Sequence, residues 1–210
     1  MSEDATGDLA SRIAERTLAK RGANYAAEVR RLLDAALVVI QERGTASRPR
    51  VSDIVSAAGL SNEAFYRHFS SKDALVAALL EDGTERLRTY VGHQMSKEPS
   101  PEAKVRRWVE GVLAQAVGRT ADSTRAVSWN AGGLGEESMQ GPLSANGPMA
   151  SLLWEPFTEL GSADPEFDAQ LAAHATLGML ADYLWRRVEP SPEDIDHIYE
   201  FCLRTVSPRA

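Results

Sequence analysis

Residues Val51 to Leu75, VSDIVSAAGLSNEAFYRHFSSKDAL, decide the fold of this chain, because their pattern predicts two short helices joined by a glycine turn. Ile54 and Val55 give the first of these helices an apolar face. Gly59 supplies the left-handed backbone conformation that a tight turn between helices requires. The stretch therefore predicts a helix-turn-helix.

The second helix of this pair has an apolar face and a polar face. Ser61 is placed to cap its first turn, and Phe65 and Phe69, four residues apart, face the interior. A short helix with hydrogen-bonding side chains near its N-terminus suits the major groove of DNA. The side chains left outside are those of Asn62, Glu63, Tyr66, Arg67 and His68.

The runs AAGLS, FYRHF and SKDAL resemble the TetR (tetracycline-repressor-like) family of transcriptional regulators. The resemblance covers about residues 25–95, and the rest of the chain resembles the family only as a helical segment of suitable length. It implies an all-α fold, with an N-terminal three-helix helix-turn-helix DNA-binding domain and a C-terminal helical domain that binds a ligand and dimerises. We expect an extension with the pattern of a short basic helix at 1–23, the DNA-binding domain at 24–71 and the ligand-binding and dimerisation domain at 72–210.

The charge distribution agrees with a DNA-binding end. The whole chain has a formal net charge of −7, yet residues 9–72 hold eleven Lys and Arg against six Asp and Glu, a local charge of +5. The remaining residues therefore carry −12. Such an asymmetry confines attraction for phosphates to one end, although chance segregation of solvated charge gives the same pattern.

We assign the expected DNA contacts by side-chain chemistry. Ser61, Asn62 and Glu63 lie at the start of the second helix, where amides pair with adenine and carboxylates accept from cytosine. Glu63 has two alternatives, exclusion of wrong sequences or simple exposure to solvent, and His68 is equally well explained as a histidine at the edge of the core. The role of Arg67 stays open. The expected phosphate contacts are Arg50, Ser52, Tyr66, His68 and Lys72.

The helices around the motif follow from hydrophobic spacing. The first strong helix is predicted from about Asn24 to Arg43, and Gly22 is expected to end a shorter basic helix before it. Ser70 and Asp73 have the spacing of a capping box, so a helix should begin near Ser71 and run to about residue 95.

In the C-terminal part, residues 131–148 are predicted to form a loop because they hold five glycines and two prolines. A helix over about 149–160 should be interrupted by Pro156, and Asp164 and Pro165 should begin a long helix to about residue 188. That long helix is apolar nearly all round, so its second face should meet another subunit, or else lie inside a monomer. The predicted dimer residues are Ala175, Met179, Tyr183, Ile195, Ile198, Tyr199 and Cys202.

The resemblance implies a homodimer that binds a palindromic operator in double-stranded DNA, and a small-molecule effector that releases it. Large or adaptable apolar side chains suit such a pocket and favour a hydrophobic or aromatic effector, although a residue of this kind more often packs in the hydrophobic core. The candidate pocket residues are Trp108, Trp129, Met139, Met149, Trp154, Phe157, His174 and Met179.

Other classes of function find little support in the sequence. The four histidines lie on separate segments, with no metal-ligand spacing and no nucleophile motif, so no catalytic residue, metal or cofactor is expected. The single cysteine, Cys202, and an acidic N-terminus with no apolar run behind it favour a cytoplasmic protein with no membrane partner. An architectural DNA-binding protein without ligand control is the alternative.

Overall fold

The computed structural model describes residues 9–131 and 146–206, and within them the regular elements are helices, which confirms the predicted all-α class. Two short 3₁₀ turns, Ala114–Ala116 and Ser151–Leu153, connect helices in the C-terminal part. The α-helices are α1 Leu9–Arg43, α2 Val51–Ala58, α3 Asn62–His68, α4 Lys72–Met95, α5 Pro101–Leu113, α6 Gly118–Ala131, α7 Asn146–Ala150, α8 Trp154–Glu159, α9 Pro165–Arg186 and α10 Pro192–Thr205.

Local chemistry fixes the helix-turn-helix. Gly59 ends α2 in the left-handed conformation with φ 62°, as the sequence predicts. The Ser61 hydroxyl accepts a hydrogen bond from the Ala64 amide and caps α3. The cap of α4 is Ser71, one residue later than the predicted Ser70, because the Ser71 hydroxyl accepts from the Ala74 amide.

The prediction that Gly22 ends a separate short helix is wrong. α1 runs without a break through Gly22, and a Cβ added at this glycine would meet nothing within 4 Å. A glycine inside a helix costs only about 1 kcal/mol, and the strong helix formers around it, including Ala19, Lys20 and Arg21, offset that cost. From Leu9 onward, the predicted N-terminal extension is therefore part of the first helix.

The buried side chains form two clusters. The N-terminal cluster contains Leu32, Ile54, Phe65 and Leu75, all fully buried, and the C-terminal cluster is built around Trp108. α4 serves both clusters, since Leu75, Val76 and Leu79 pack in the first and Val91 and Met95 in the second. α6 sends Ala126 and Val127 into the N-terminal cluster. The two clusters are thus joined through α4 and α6, and the domain boundaries at 23 and 71 stay predictions.

The C-terminal helices differ from the prediction in detail. Asn146 already begins α7, and Ala131 still belongs to α6, so the predicted loop is shorter at both ends, while residues 132–145 lie outside the described residues. Pro156 lies in the first turn of α8, where its missing N–H costs nothing, and the break comes before it, at Ser151–Leu153. Asp164 caps α9 and Pro165 is its first residue, as predicted.

Candidate functional site

α3 presents a polar face to solvent. Ala64 and Phe65 are buried, whereas Asn62, Glu63 and Tyr66 are exposed, with 59% of Tyr66 accessible. Ser61 and Arg67 are also exposed on this helix, so all the predicted contacts on α3 except His68 are open to solvent. This short exposed helix has the length and chemistry of a recognition helix.

The expected phosphate contacts lie on the elements next to α3. Arg50 and Ser52 are exposed at the start of α2, and Lys72 is half-buried in the first turn of α4. The Asp53 carboxylate accepts from the Arg50 amide at 2.9 Å and from Arg43 Nη2 at 2.7 Å. These bonds fix the N-terminus of α2, and with it the backbone of Arg50, to the end of α1.

His68 corrects the expectation of an outward, phosphate-binding histidine. Its side chain is 0% exposed, its Nε2 lies 2.6 Å from Oε2 of Glu28, and its ring meets Tyr25 edge to face at 4.2 Å. The alternative of a core-edge histidine is therefore the one that fits. The contact was hidden from the sequence because Glu28 lies 40 positions away, on α1.

Glu28 joins α1 to the C-terminal end of α3. The hydrogen bond with His68 lowers the pKa of the Glu28 carboxyl, and the positive charge of Arg67 acts in the same direction. Arg67 Nη1 lies 3.4 Å from Oε2 of Glu28, so the open role of Arg67 includes an ion pair within the domain.

Arg31 is a residue that the sequence analysis missed. Its Nη2 donates to the carbonyl oxygens of Ala58 at 2.5 Å and Gly59 at 3.1 Å, the last residue and the C-cap of α2, where helical carbonyls lack intrahelical partners. The guanidinium therefore holds the turn between α2 and α3 against α1. An arginine at a helix C-terminus is favourable, but its distance along the chain from Gly59 gave no signal in the sequence.

A cavity of about 420 Å³ lies where α1, α4, α6 and α9 meet. Its apolar wall includes Leu37 from α1 and Leu177 from α9, and its polar wall includes Ser123 and Thr124 from α6. The lining mixes aliphatic side chains with hydroxyls, a common composition for small-molecule sites. The other described lining residues are Leu79, Leu80, Asp82, Gly83, Thr84, Arg86, Leu87, Gln115, Thr120, Val127, Ser128, Asn146, Leu180, Ala181 and Leu184.

The predicted pocket residues within the described chain do not line this cavity. Trp108 and Met149 are fully buried, and Trp108 Nε1 donates to the Met149 carbonyl at 2.9 Å, so they fill the core instead of bordering a space. Phe157 is likewise fully buried. Trp154 is 40% exposed on the surface.

The remaining predicted pocket residues also lie elsewhere. Trp129 packs under the guanidinium of Arg48, 5.5 Å from the ring centre. His174 is exposed and its Nδ1 donates to the Gln170 carbonyl at 2.7 Å, and Met179 is exposed on α9. Met139 lies outside the described residues. Large apolar residues suggested a cavity, but smaller leucines and hydroxyl residues surround the one observed here.

The exposed apolar residues of the C-terminal part lie on a face different from the one predicted. Phe167, Leu171 and Trp185 on α9 and Phe201 on α10 are 44–56% exposed, although they are large and apolar. The spacing of 4 and 14 residues puts the three α9 residues on one side of the helix. We call these four residues the α9–α10 stripe.

Most of the predicted dimer residues pack inside their own subunit. Tyr183, Ile198 and Cys202 are buried in the C-terminal core, and burial, together with a hydrogen bond to Asp194, raises the pKa of Tyr183. Ile195 and Tyr199 pack against the same core. Ala175 is half-buried, and Met179 is exposed beside the α9–α10 stripe. An all-round apolar helix gives no phase, so the spacing did not indicate which of its residues pack inside the subunit.

We also searched residues 9–131 and 146–206 for a metal site, a membrane-spanning helix and a reactive cysteine. There, no three or more His, Cys, Asp or Glu side chains converge on a position that could hold a metal ion. Over the same residues, no helix combines the length and hydrophobicity needed to cross a bilayer. Burial raises the pKa of the Cys202 thiol, which disfavours the reactive thiolate.

A helix-turn-helix with an exposed recognition helix, set on a helical body, defines a class of DNA-binding proteins. Residues 32–79 match the family described as bacterial regulatory proteins, tetR family. These residues therefore carry the N-terminal domain of the TetR family, as the motifs predicted. The family consists of regulatory proteins and not enzymes, in agreement with the expectation for this chain.

Known proteins resemble the chain in sequence and in fold. An uncharacterized HTH-type transcriptional regulator of Bacillus subtilis (strain 168), YvdT, is 44% identical over 52 residues, which are 25% of this chain and 26% of that protein. A TetR transcriptional regulator from Rhodococcus sp. RHA1 has the same fold, with a TM-score of 0.67, 20% identity and coverage of 88% of this chain and 98% of that one.

Two further solved structures share the fold. The reduced form of NemR from E. coli has a TM-score of 0.63 and 17% identity, and the match covers 87% of this chain and all of that one. RolR, solved in complex with resorcinol, has a TM-score of 0.60 and 16% identity, with 90% and 92% covered. The match with YvdT spans only about a quarter of that relative, whereas the structures match over most of both chains.

Proposed function

We propose that this protein is a homodimeric transcriptional regulator that binds a palindromic operator and is released from it by a small apolar or aromatic ligand. The observation that carries the proposal is the exposed polar face of α3 at the basic end of a TetR-family chain. Repression by covering a promoter is the mode that the family resemblance favours. Such a regulator would act on DNA in the cytoplasm.

The proposed dimer uses the α9–α10 stripe. Four exposed large apolar side chains on two helices that contact each other are unusual for a monomer and are typical of an interface. A two-fold axis through these helices pairs them with their copies in a four-helix arrangement. Two α3 helices related by that axis would engage successive major grooves about 34 Å apart, which is why the operator is expected to be palindromic.

The proposed effector site is the cavity between α1, α4, α6 and α9. Its position supports the assignment, because α4 begins four residues after α3 ends and α1 packs directly on α3 through His68 and Glu28. A ligand that moves α4 or α1 would therefore move the recognition helix. The aliphatic walls and the hydroxyls of Ser123, Thr124 and Ser128 suit a small aromatic or aliphatic compound with one or two polar groups. RolR, of similar fold, is known in complex with resorcinol, which has this chemistry.

The test begins with selection of genomic fragments by the purified full chain at about 150 mM salt. Enrichment of one palindrome supports the regulator, whereas recovery of unrelated fragments favours an architectural DNA-binding protein. Small phenols, aromatic acids and medium-chain alcohols are then tested for displacement of the selected duplex.

A matched pair of variants assigns displacement to the cavity. Thr124→Phe places a ring in the cavity and should block displacement while DNA affinity is kept. Thr89→Phe, an exposed control on α4, should leave displacement unchanged. Displacement that survives Thr124→Phe would show that the ligand acts at another place.

A further inference from the structure

The first part of α1 extends beyond the folded body. Leu9 and residues 11–27 are exposed, and the first member of the N-terminal core cluster on this helix is Leu32. At 1.5 Å per residue, the part of the helix from Leu9 to Asn24 is about 22 Å long. A helix of this length on its own is marginal in water, but here it continues from a packed helix and needs no nucleation of its own.

Positive charge is concentrated on this projecting segment. Residues 9–27 contain Arg12, Arg16, Lys20 and Arg21 and a single acid, Glu15. Because α1 is continuous, Arg12, Arg16 and Lys20 follow one another at four-residue intervals and share one side of the helix. This arrangement forms a row of cations along one side of the segment, and the continuity of α1 through Gly22 fixes that row to the folded body.

The apolar residues of the segment do not form a face of their own. Leu9 and Ile13 lie on the same side as Arg16 and Lys20, and Leu18 points the opposite way at helical spacing. A membrane surface or a partner helix needs an apolar stripe separated from the charges, and the segment lacks one. Positive charge is the property common to the surface of this segment, so the partner that complements it is an anionic chain.

The segment leaves the body beside the recognition helix. At the base of the projection, Tyr25 and Glu28 touch His68 at the C-terminal end of α3. The row of cations therefore starts next to the proposed DNA-binding face.

We propose that residues 9–24 form a rigid basic arm that binds phosphates of the duplex outside the half-site contacted by α3. The inference rests on the proposed DNA-binding function and adds a second contact region to it. The arm lengthens the DNA that each protomer covers and raises affinity without regard to base sequence, because phosphates carry no sequence information. Its contribution falls with salt, as counterion release requires.

The test compares two duplexes and three forms of the full chain. One duplex ends at the selected palindrome, and the other carries about 10 extra base pairs, one helical turn, on each side. The proteins are the parent, the variant R12A/R16A/K20A and the control K97A/R119A/R204A, which removes three exposed cations from the body and changes the net charge equally. Affinity is measured between about 50 and 200 mM salt.

The parent and the control should bind the longer duplex more tightly than the shorter one, and R12A/R16A/K20A should lose that difference. For each lost phosphate contact the slope of log affinity against log salt should fall by about 0.9, so by up to nearly three per protomer. Deletion of residues 2–22 should reproduce the loss, since Leu9 and residues 11–22 lie outside both core clusters. If all forms of the protein show the same salt slope and the same dependence of affinity on duplex length, the proposal of a basic arm is contradicted. If the parent enriches no palindrome, the proposed function fails, and the salt slope on a random duplex still tests the arm.

Discussion

Gln41 of α1 donates a hydrogen bond from its Nε2 to Oγ of Ser123 in α6, at 2.7 Å. This bond links the helix that supports the recognition helix to a residue that lines the cavity. α6 also packs on the N-terminal cluster, to which α1 belongs, through Ala126 and Val127. A ligand beside Ser123 is thereby one hydrogen bond away from α1.

Ser123→Ala should weaken the coupling between ligand and DNA. A hydrogen bond of this kind contributes about 0.5–1.5 kcal/mol, so the ligand concentration for half-displacement should change roughly two- to tenfold while DNA affinity without ligand is kept. Ser96→Ala, which removes an exposed serine hydroxyl bonded to the His93 carbonyl, is the matched control. If displacement titrations give the same midpoint for Ser123→Ala and the parent, the bond between Gln41 and Ser123 does not couple the ligand to DNA binding.

Gly59→Ala should destabilise the helix-turn-helix. The left-handed conformation at φ 62° costs a residue with a Cβ about 1–2 kcal/mol, and the new Cβ would lie 3.1 Å from Nη2 of Arg31. Thermal unfolding should show a lower Tm and weaker DNA binding. Gly83→Ala, in the interior of α4 with nothing within 4 Å, should instead raise the Tm. A Gly59→Ala variant with the same Tm and DNA affinity as the parent would contradict the assigned turn.

The Glu28 carboxylate should make the DNA-binding end sensitive to acid. Because the hydrogen bond with His68 lowers its folded-state pKa below the ordinary 4.5, its stabilisation is present above pH 4.5 and is lost as the pH falls through the lower folded value. Glu28→Gln should therefore have a lower Tm than the parent at neutral pH, and this difference should shrink below about pH 4.5. Glu42→Gln, an exposed glutamate on the same helix, is the control. A Tm difference that is constant with pH would argue against the pairing.

The proposed dimer should depend on the α9–α10 stripe. Trp185→Lys places a charge on a side chain that is 53% exposed in the monomer, so it should leave the fold intact and disrupt self-association. Sedimentation should show monomers, and operator affinity should fall at least about a hundredfold because the second recognition helix is no longer tethered. Val117→Lys, which changes an exposed valine that lies off the stripe, should stay dimeric. A Trp185→Lys dimer would contradict the assigned interface.

Local chemistry explains which parts of this structure the sequence predicts. Gly59 and Ser61 act on their immediate neighbours, so the turn, the cap and the exposed face of α3 follow from a few consecutive residues. The same is true of Asp164 and Pro165 at the start of α9. These elements are predictable because their causes lie within one helical turn.

The errors concern contacts between distant residues. His68 is turned inward by Glu28, 40 positions earlier, and the cavity is set by the relative placement of four helices. The inward side of α9 depends on how α10 and α5 pack on it, which its nearly uniform apolar pattern does not encode. Trp108 suggested a pocket by its size, yet large side chains fill a core as readily as they border a space.

The most direct measurement is a parallel selection of random duplexes by the parent, Asn62→Ala and Lys72→Ala, with deep sequencing at a fixed salt near 150 mM. Asn62 is exposed at the start of α3, and Lys72 lies in the first turn of α4. The parent should enrich one palindrome; Asn62→Ala should relax preference at the same position in both half-sites, and Lys72→Ala should weaken all sequences alike. Equal selectivity in Asn62→Ala and the parent, or no palindrome from the parent, would contradict DNA reading by α3.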